Sequence, residues 1–443
     1  MRRLVWLVAA PAAAWIALMA QDATLRIQEG QRPALAVPDL RGDAQAQPLM
    51  GAFNQTLWSD VLGSGYFKMV DKTLYPKANP QQASDWRQTP PSQSGGGLSM
   101  TDWSSPPASA NHIAFGYTAV QNGVLVLYGW LYDLGRGAQT IGARYVASGV
   151  DEAGARQVAH QFAADIIAQF GGKSLMGTHI YFTSDRTGHK EIWMMDPDGG
   201  NQKQITNYRD ISNQPAASPE AGKIAFVSWV HTNPAIFVFS VDPVRDLRFY
   251  NQRASVNSSP SFTPDGKQIV YSSSAGGCCR IFIANLDGSG FRPISSAGFI
   301  DTEPKINPKT GNEIVFVSGR SGPQQIYRMN MDGSDVERLT PGEGEASNPS
   351  WHPGGQIIAY AWTRGFATGN FNIFTMDVAS RNYNQLTHGE GRNENPSWAP
   401  DGVHLVFRST RSGTQQIWTM LADGTQVHQL TTQGSNESPV WGQ

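Results

Sequence analysis

One proline-centred phrase recurs through the C-terminal part of the chain and limits its fold more than any other feature. Pro215, Pro260, Pro304, Pro349, Pro396 and Pro439 follow one another at steps of 45, 44, 45, 47 and 43 residues. A fixed period of this size marks an array whose units bury their apolar faces against their neighbours. The fullest copies read Asn348-Pro349-Ser350-Trp351-His352-Pro353 and Asn395-Pro396-Ser397-Trp398-Ala399-Pro400-Asp401-Gly402. After each of the first five prolines comes an apolar strand, at 224–227, 269–271, 314–317, 357–360 and 405–407, and 180–182 is a copy that precedes any such proline. A further strand follows in every unit, at 191–195, 236–239, 280–284, 325–329, 372–376 and 416–420. Then comes a turn, often Asp-Gly as at Asp287-Gly288, Asp332-Gly333 and Asp423-Gly424, and a short segment such as Arg338-Leu339-Thr340.

Each unit therefore holds four short strands separated by Gly, Asp, Asn and Pro. Within them apolar side chains alternate with period two, as in Gln325-Ile326-Tyr327-Arg328-Met329, and no long helical periodicity interrupts the pattern. Four strands in about 45 residues is the blade of a β-propeller. The array opens on the second-strand phrase at 180–182 and ends on the first-strand phrase Ser438-Pro439-Val440-Trp441. The C-terminal strand is thus expected to complete the first blade, closing the ring and removing its open edges. The expected fold is a six-bladed, four-stranded, all-β propeller over 173–443, preceded by a smaller N-terminal α/β domain.

Composition narrows the function classes. Of 443 residues, 34 are Lys or Arg and 36 are Asp or Glu, so the net charge of −2 gives no global attraction to nucleic acid or anionic membranes. Only 16% of residues are charged, against about 25% in ordinary soluble domains. Two cysteines exclude a disulfide framework and a Cys-rich zinc site. They are adjacent, Cys278-Cys279, beside the turn Ala275-Gly276-Gly277, and a structural role is expected ahead of a redox one.

The chain opens Met1-Arg2-Arg3 and runs apolar from Leu4 to Ala20, broken only by Pro11, before Gln21-Asp22. A basic start, a short Ala-rich apolar stretch and a polar exit predict a secretory signal over 1–20, cleaved after Ala20, in preference to a membrane anchor. The expected location is the periplasm, and without a Cys after the apolar run no lipid anchor is expected.

Residues 21–172 read as an arm followed by an α/β domain. Strands are predicted at 34–37 and 66–70, with a helix over 49–62 carrying Met50, Phe53, Leu57, Trp58 and Val61 on one face and ending at Gly63. Runs at 113–120, 124–132 and 139–146 predict an antiparallel meander turned at Asn122-Gly123 and 135–137. Asp151 is placed to cap a helix whose Ala155, Val158, Ala159, Phe162, Ile166, Ile167 and Phe170 share a face, stopped by Gly171-Gly172. The stretch 75–110, rich in Pro, Ser, Gln and Gly, is expected to be a mobile loop. Gly171-Gly172-Lys173-Ser174 lacks the first glycine of a phosphate loop and follows a helix, so it reads as a helix stop.

The innermost strands of a propeller converge on a channel, so the residues before the six prolines should ring one mouth. They include Asn213, Asn257, Ser258, Ser259, Asp301, Thr302, Glu303, Asn348, Asn393, Glu394, Asn436 and Glu437. Such a ring could hydrogen-bond the loops of a protein partner, while turn chemistry alone explains Asn, Asp and Ser before Pro equally well. A Ca²⁺ ion near Asp301, Glu303, Glu394 and Glu437 would suit a hard cation, but no spacing demands one and no cofactor is expected. Trp351, Trp398 and Trp441 recur two residues past the proline, which points to packing between blades.

The signal, the small α/β domain ending in a long helix, and the phrases IVFVSGRSGPQQIYRMNMDGSDVERLT and NENPSWAPDG together resemble the TolB family of the Tol–Pal cell-envelope system. The resemblance covers nearly the whole mature chain, and the insertion over 80–110 departs from it. It implies a propeller that binds the peptidoglycan-associated lipoprotein Pal at the channel mouth, and an extreme N-terminus that engages the inner-membrane protein TolA. Leu25, Arg26 and Ile27 stand where that arm would be, and Ser259 and Thr302 occupy positions where family contacts fall. The function implied is a monomeric, non-catalytic scaffold for outer-membrane integrity and envelope constriction in cell division. The alternative is a periplasmic propeller enzyme or module acting on cell-wall glycan. No Gly-x-Ser-x-Gly elbow and no His-Glu-x-x-His helix occurs in the chain.

Overall fold

The computed structural model describes residues 32–86, 97–220, 222–241, 244–246, 254–277 and 279–443. The expected signal, the arm with Leu25, Arg26 and Ile27, and Cys278 lie outside the described residues. The chain forms two compact units, one ending at Gly172 and the other running from Lys173 to Gln443.

In the first unit, β1 (Ala34–Ala36) runs parallel to both β3 (Lys68–Met69) and β4 (His112–Gln121). The short β2 (Arg41–Gly42) also pairs with β4. The meander continues antiparallel through β5 (Val124–Asp133) and β6 (Ala138–Val146), giving the order β3-β1-β4-β5-β6. Two helices, α1 (Met50–Gly63) and the later Glu152–Gln169, cover one face. The core between them contains Phe53, Leu57, Leu125, Leu127, Leu131, Val158, Phe162 and Ile166, all fully buried. Mid-strand Gly129 lets Phe162 approach the sheet: a Cβ there would lie 2.9 Å from the ring. Asp151 caps the later helix, its Oδ1 accepting from the Gly154 N–H at 2.7 Å, and Gly171 ends it at φ 79°.

The other sheet face corrects an expectation. The described parts of 75–110 are not a bare loop: they include α2 (Met100–Ser104), hence the later helix is α3, and two tryptophans that seal a second core. Trp86 and Trp103 are buried with Ala108, Ala110, Ile113, Phe115 and Tyr132. Two isolated aromatics anchor a segment whose composition otherwise favours the unfolded chain.

The second unit is a propeller of six four-stranded sheets. Its first blade is completed by the C-terminal strand Asn436–Gly442, which pairs antiparallel with His179–Ser184, bringing Asn436 opposite Ser184 and Trp441 opposite Ile180. The inner strands of the other blades are Ser212–Ala217, Asn257–Phe262, Asp301–Ile306, Ala346–Trp351 and Asn393–Trp398. Every inner strand carries a bulge against its neighbour. At the bulge stands a non-glycine residue at φ 51–53° (Gln214, Ser259, Glu303, Asn348, Asn395, Ser438), followed at once by the repeat proline. Proline has no N–H to give a ladder, and a bulge facing the channel is where a sheet tolerates it.

The Leu-Thr or Ile-Thr that recurs near the end of four of the six units also acquires a cause. The Thr206, Thr340, Thr387 and Thr431 hydroxyls each accept from the backbone N–H of the third strand of their blade. They donate in turn to buried Glu191, Gln325, Asn372 and Gln416. A short outer strand is thereby fixed through a side chain. The tryptophans pack between blades: the Trp351 indole donates to the Lys305 carbonyl of the preceding blade, and Trp398 meets His352 edge-on at 4.7 Å.

Candidate functional site

Antiparallel order places the starts of the inner strands, the ends of the second strands and the loops that follow them at one mouth of the propeller. The expected rim residues separate there into three sets, because successive side chains of a strand point in different directions.

The first position of the inner strand turns into its own blade. Asn257, Asp301, Asn393 and Asn436 are buried, with Asp301 at 0% exposure. Asp301 receives two bonds from the Arg320 guanidinium, Asn393 one from Arg411 and Asn436 one from Arg186, while Asn257 accepts from Ser273. These four, expected to face a partner, are instead internal anchors. The arginines that hold them were absent from the sequence candidates, although each stands two residues past a serine: Ser184-Asp185-Arg186, Ser318-Gly319-Arg320 and Ser409-Thr410-Arg411. In each case that serine hydroxyl accepts from the arginine Nε.

Second-position residues are held within their blades or half-buried. Glu394 pairs with Arg392 and Arg408, and Glu437 pairs with Lys190 at 2.5 Å. Asn213, Ser258 and Thr302 are half-buried. Three of the four carboxylates considered for Ca²⁺ therefore have cationic partners, and the described residues contain no group of three or more His, Cys, Asp or Glu side chains able to share a metal.

The third position, at the bulge, does line the channel. A cavity of about 390 Å³ runs between the inner strands, bordered by Ser259, Glu303 and Asn348 among others. Here the polar side chains stitch neighbouring blades: Gln214 Oε1 accepts the Ser259 N–H (2.9 Å), Glu303 Oε2 the Asn348 N–H (2.6 Å), and Asn348 Oδ1 the Asn395 N–H (3.2 Å). Burial pushes the Glu303 carboxyl above its ordinary range, against the Asn348 bonds and the Lys305 charge, which pull it down. The same burial pushes the Lys305 ammonium below its ordinary value. Glu303 is the one Asp or Glu side chain among the described residues bordering this cavity.

The exposed mouth is built one residue earlier. In all six blades the carbonyl just before the inner strand accepts a backbone N–H from the residue just after the second strand. The acceptors are Ile211, Val256, Ile300, Glu345, Arg392 and Ser435, at 2.9–3.2 Å. Backbone bonds thus fix the main chain at six positions around the mouth. Blades two, three and four contribute Ile211, Val256 and Ile300, all exposed, with Ile300 at 56%, and Phe299 stands beside Ile300. The opposite half offers Glu345, Arg392 and Ser435. Sequence reasoning looked at polar residues beside the prolines and passed over these aliphatics, although each stands immediately before Ser, Asn or Asp.

Comparison with known proteins fits this architecture. The family model described as the TolB beta propeller domain matches residues 169–367 and 341–443. The chain belongs to the TolB β-propeller family. The Tol-Pal system protein TolB of Gluconobacter oxydans is 31% identical over 323 residues, 71% of this chain and 65% of that protein. The TolB homolog of Chlorobium chlorochromatii is 31% identical over 196 residues, 44% of this chain and 43% of that protein. These matches span less than two thirds of either relative. The TolB crystal structure from Acinetobacter baumannii superposes with a TM-score of 0.76 at 23% identity, covering 93% of this chain and 97% of that one. It shares the fold. No described helix is long and apolar enough to cross a membrane.

Proposed function

We propose that this TolB-family chain is a non-catalytic, periplasmic protein-binding scaffold of the Tol–Pal system. Its propeller docks the peptidoglycan-associated lipoprotein Pal, and its N-terminal arm, with Leu25, Arg26 and Ile27, engages TolA. In this reading the two contacts serve outer-membrane integrity and envelope constriction during division. The observation that carries it is the mouth: three neighbouring aliphatic side chains are held outward by backbone bonds while the polar residues behind them are committed to the blades. Fixed apolar side chains around a channel mouth suit the buried centre of a protein interface. Of the earlier rim candidates, Ser258 and Thr302 are the half-buried residues adjoining this patch, and Asn213 lies beside Ile211.

The test is recovery from envelope extract on the immobilised chain beginning at Gln21. Pal and TolA should both be retained. Asp at both Leu25 and Ile27 should release TolA alone, and Asp at both Val256 and Ile300 should release Pal alone. Retention of glycan with neither protein would overturn the scaffold and favour the glycan-acting alternative.

A further inference from the structure

Every other sheet edge among the described residues is blunted. The inner propeller edges each carry a bulge and a proline. The outer strands, such as Lys203–Gln204, Arg292–Pro293, Glu337–Arg338 and His428–Gln429, are two or three residues long, and β3 has two. Short edges, bulges and prolines are the devices that keep a sheet from pairing with another chain. β6 lacks most of them. It is nine residues long and ends its sheet, and its bulge falls at Thr140, leaving 141–146 regular. That stretch has no proline and a single charge, Arg144.

The direction of its open bonds follows from the register. The Ala147 N–H donates to the Leu125 carbonyl, so alternation turns the backbone groups of Tyr145, Ala143 and Ile141 toward β5. Those of Gly142, Arg144 and Val146 point away from β5, and no described strand lies beyond them. Gly142 is exposed and stands opposite Trp130; a Cβ on it would lie 3.4 Å from the Trp130 Cδ1, and the Gln139 amide folds over the spot. Arg144 is exposed and stands opposite Tyr128.

We propose that β6 is a receptor edge for an extended strand of a partner protein, added antiparallel, with an apolar side chain opposite Gly142 against Trp130 and an acidic one opposite Arg144. A second copy of this chain fits poorly. Pairing centred on Arg144 sets two arginines against each other, and pairing centred on Ala143 runs each strand into the other's bulge at Thr140. Strand addition at this edge does not rest on the scaffold reading.

Amide hydrogen exchange on the full chain tests this, with synthetic strand peptides of about nine residues as probes. The peptides carry valine at alternate positions and either glutamate or lysine at the position meeting Arg144. Glutamate peptides should bind and slow exchange at Gly142, Arg144 and Val146. Arg144→Pro removes one outward N–H outside the β5 ladder; it should leave the melting temperature unchanged and weaken binding roughly fivefold or more. Arg144→Glu keeps the backbone intact and should switch the preference to lysine peptides. No protection of β6 by any peptide, or binding indifferent to both substitutions, would overturn the proposal. So would self-association without peptide that Arg144→Pro abolishes, because the edge would then serve a second copy.

Discussion

The Arg320 guanidinium bonds both oxygens of the buried Asp301 carboxylate, at 3.0 and 2.9 Å, and lies 4.9 Å from the centre of the Phe299 ring. One cation thus neutralises a charge inside the blade and supports the loop that presents Ile300. Removing one member of a buried pair leaves the other without compensation and ordinarily costs about 3–5 kcal/mol. Arg320→Leu should cost about that much in a denaturant titration of the propeller, and Asp301→Ala a comparable amount.

Ring closure gives a second prediction. The strand Asn436–Gly442 supplies the inner strand of the first blade and buries Trp441, whose indole donates to the Thr178 hydroxyl. Deleting 438–443 should therefore lower the melting temperature of the whole propeller instead of fraying one edge, as calorimetry would show. An unchanged transition would mean that the ring does not depend on this strand.

How far the sequence disclosed this molecule depends on which side chains repeat. The propeller was legible because a proline marks every blade and Asp-Gly turns mark several, and these residues have fixed backbone demands. The mouth was not, since residue type before a proline does not say whether a side chain enters the blade, the channel or solvent. Asp301 and Glu303 are two residues apart, yet one meets Arg320 and the other spans to the next blade at Asn348. Only the positive φ at position 303 separates their directions. Trp86 and Trp103 were hidden in the same way, because a segment pinned by two contacts has no periodicity to detect.

His352 makes stability depend on pH. Its Nδ1 accepts the Gly354 N–H at 2.9 Å, which leaves Nε2 to donate to the Gly402 carbonyl at 3.1 Å. Burial holds this imidazole below its ordinary pKa, against the Gly402 bond and the nearby Asp401 charge. The unfolded chain therefore takes up the proton more readily. The contribution of His352 is fully present above the ordinary value of about 6.5 and is lost as pH falls through the depressed folded value. Comparison with a variant isolates this group: between about pH 7.5 and pH 5, His352→Gln should lose less of its melting temperature than the parent chain.

Gly129 faces Phe162 closely enough that no side chain fits without displacing the ring. Gly129→Val should destabilise the N-terminal unit by about 1–3 kcal/mol, as overpacking does. Adding Phe162→Leu should recover part of that loss in a double-mutant cycle.

Calorimetric titration of the chain beginning at Gln21 with the periplasmic domain of Pal tests the central claim most directly. Asp at both Val256 and Ile300, exposed positions that carry none of the core, should weaken binding by at least about thirtyfold, the size of a 2 kcal/mol hot spot, with the melting temperature unchanged. Parent-like affinity in that variant would contradict the account and remove this mouth as the docking face.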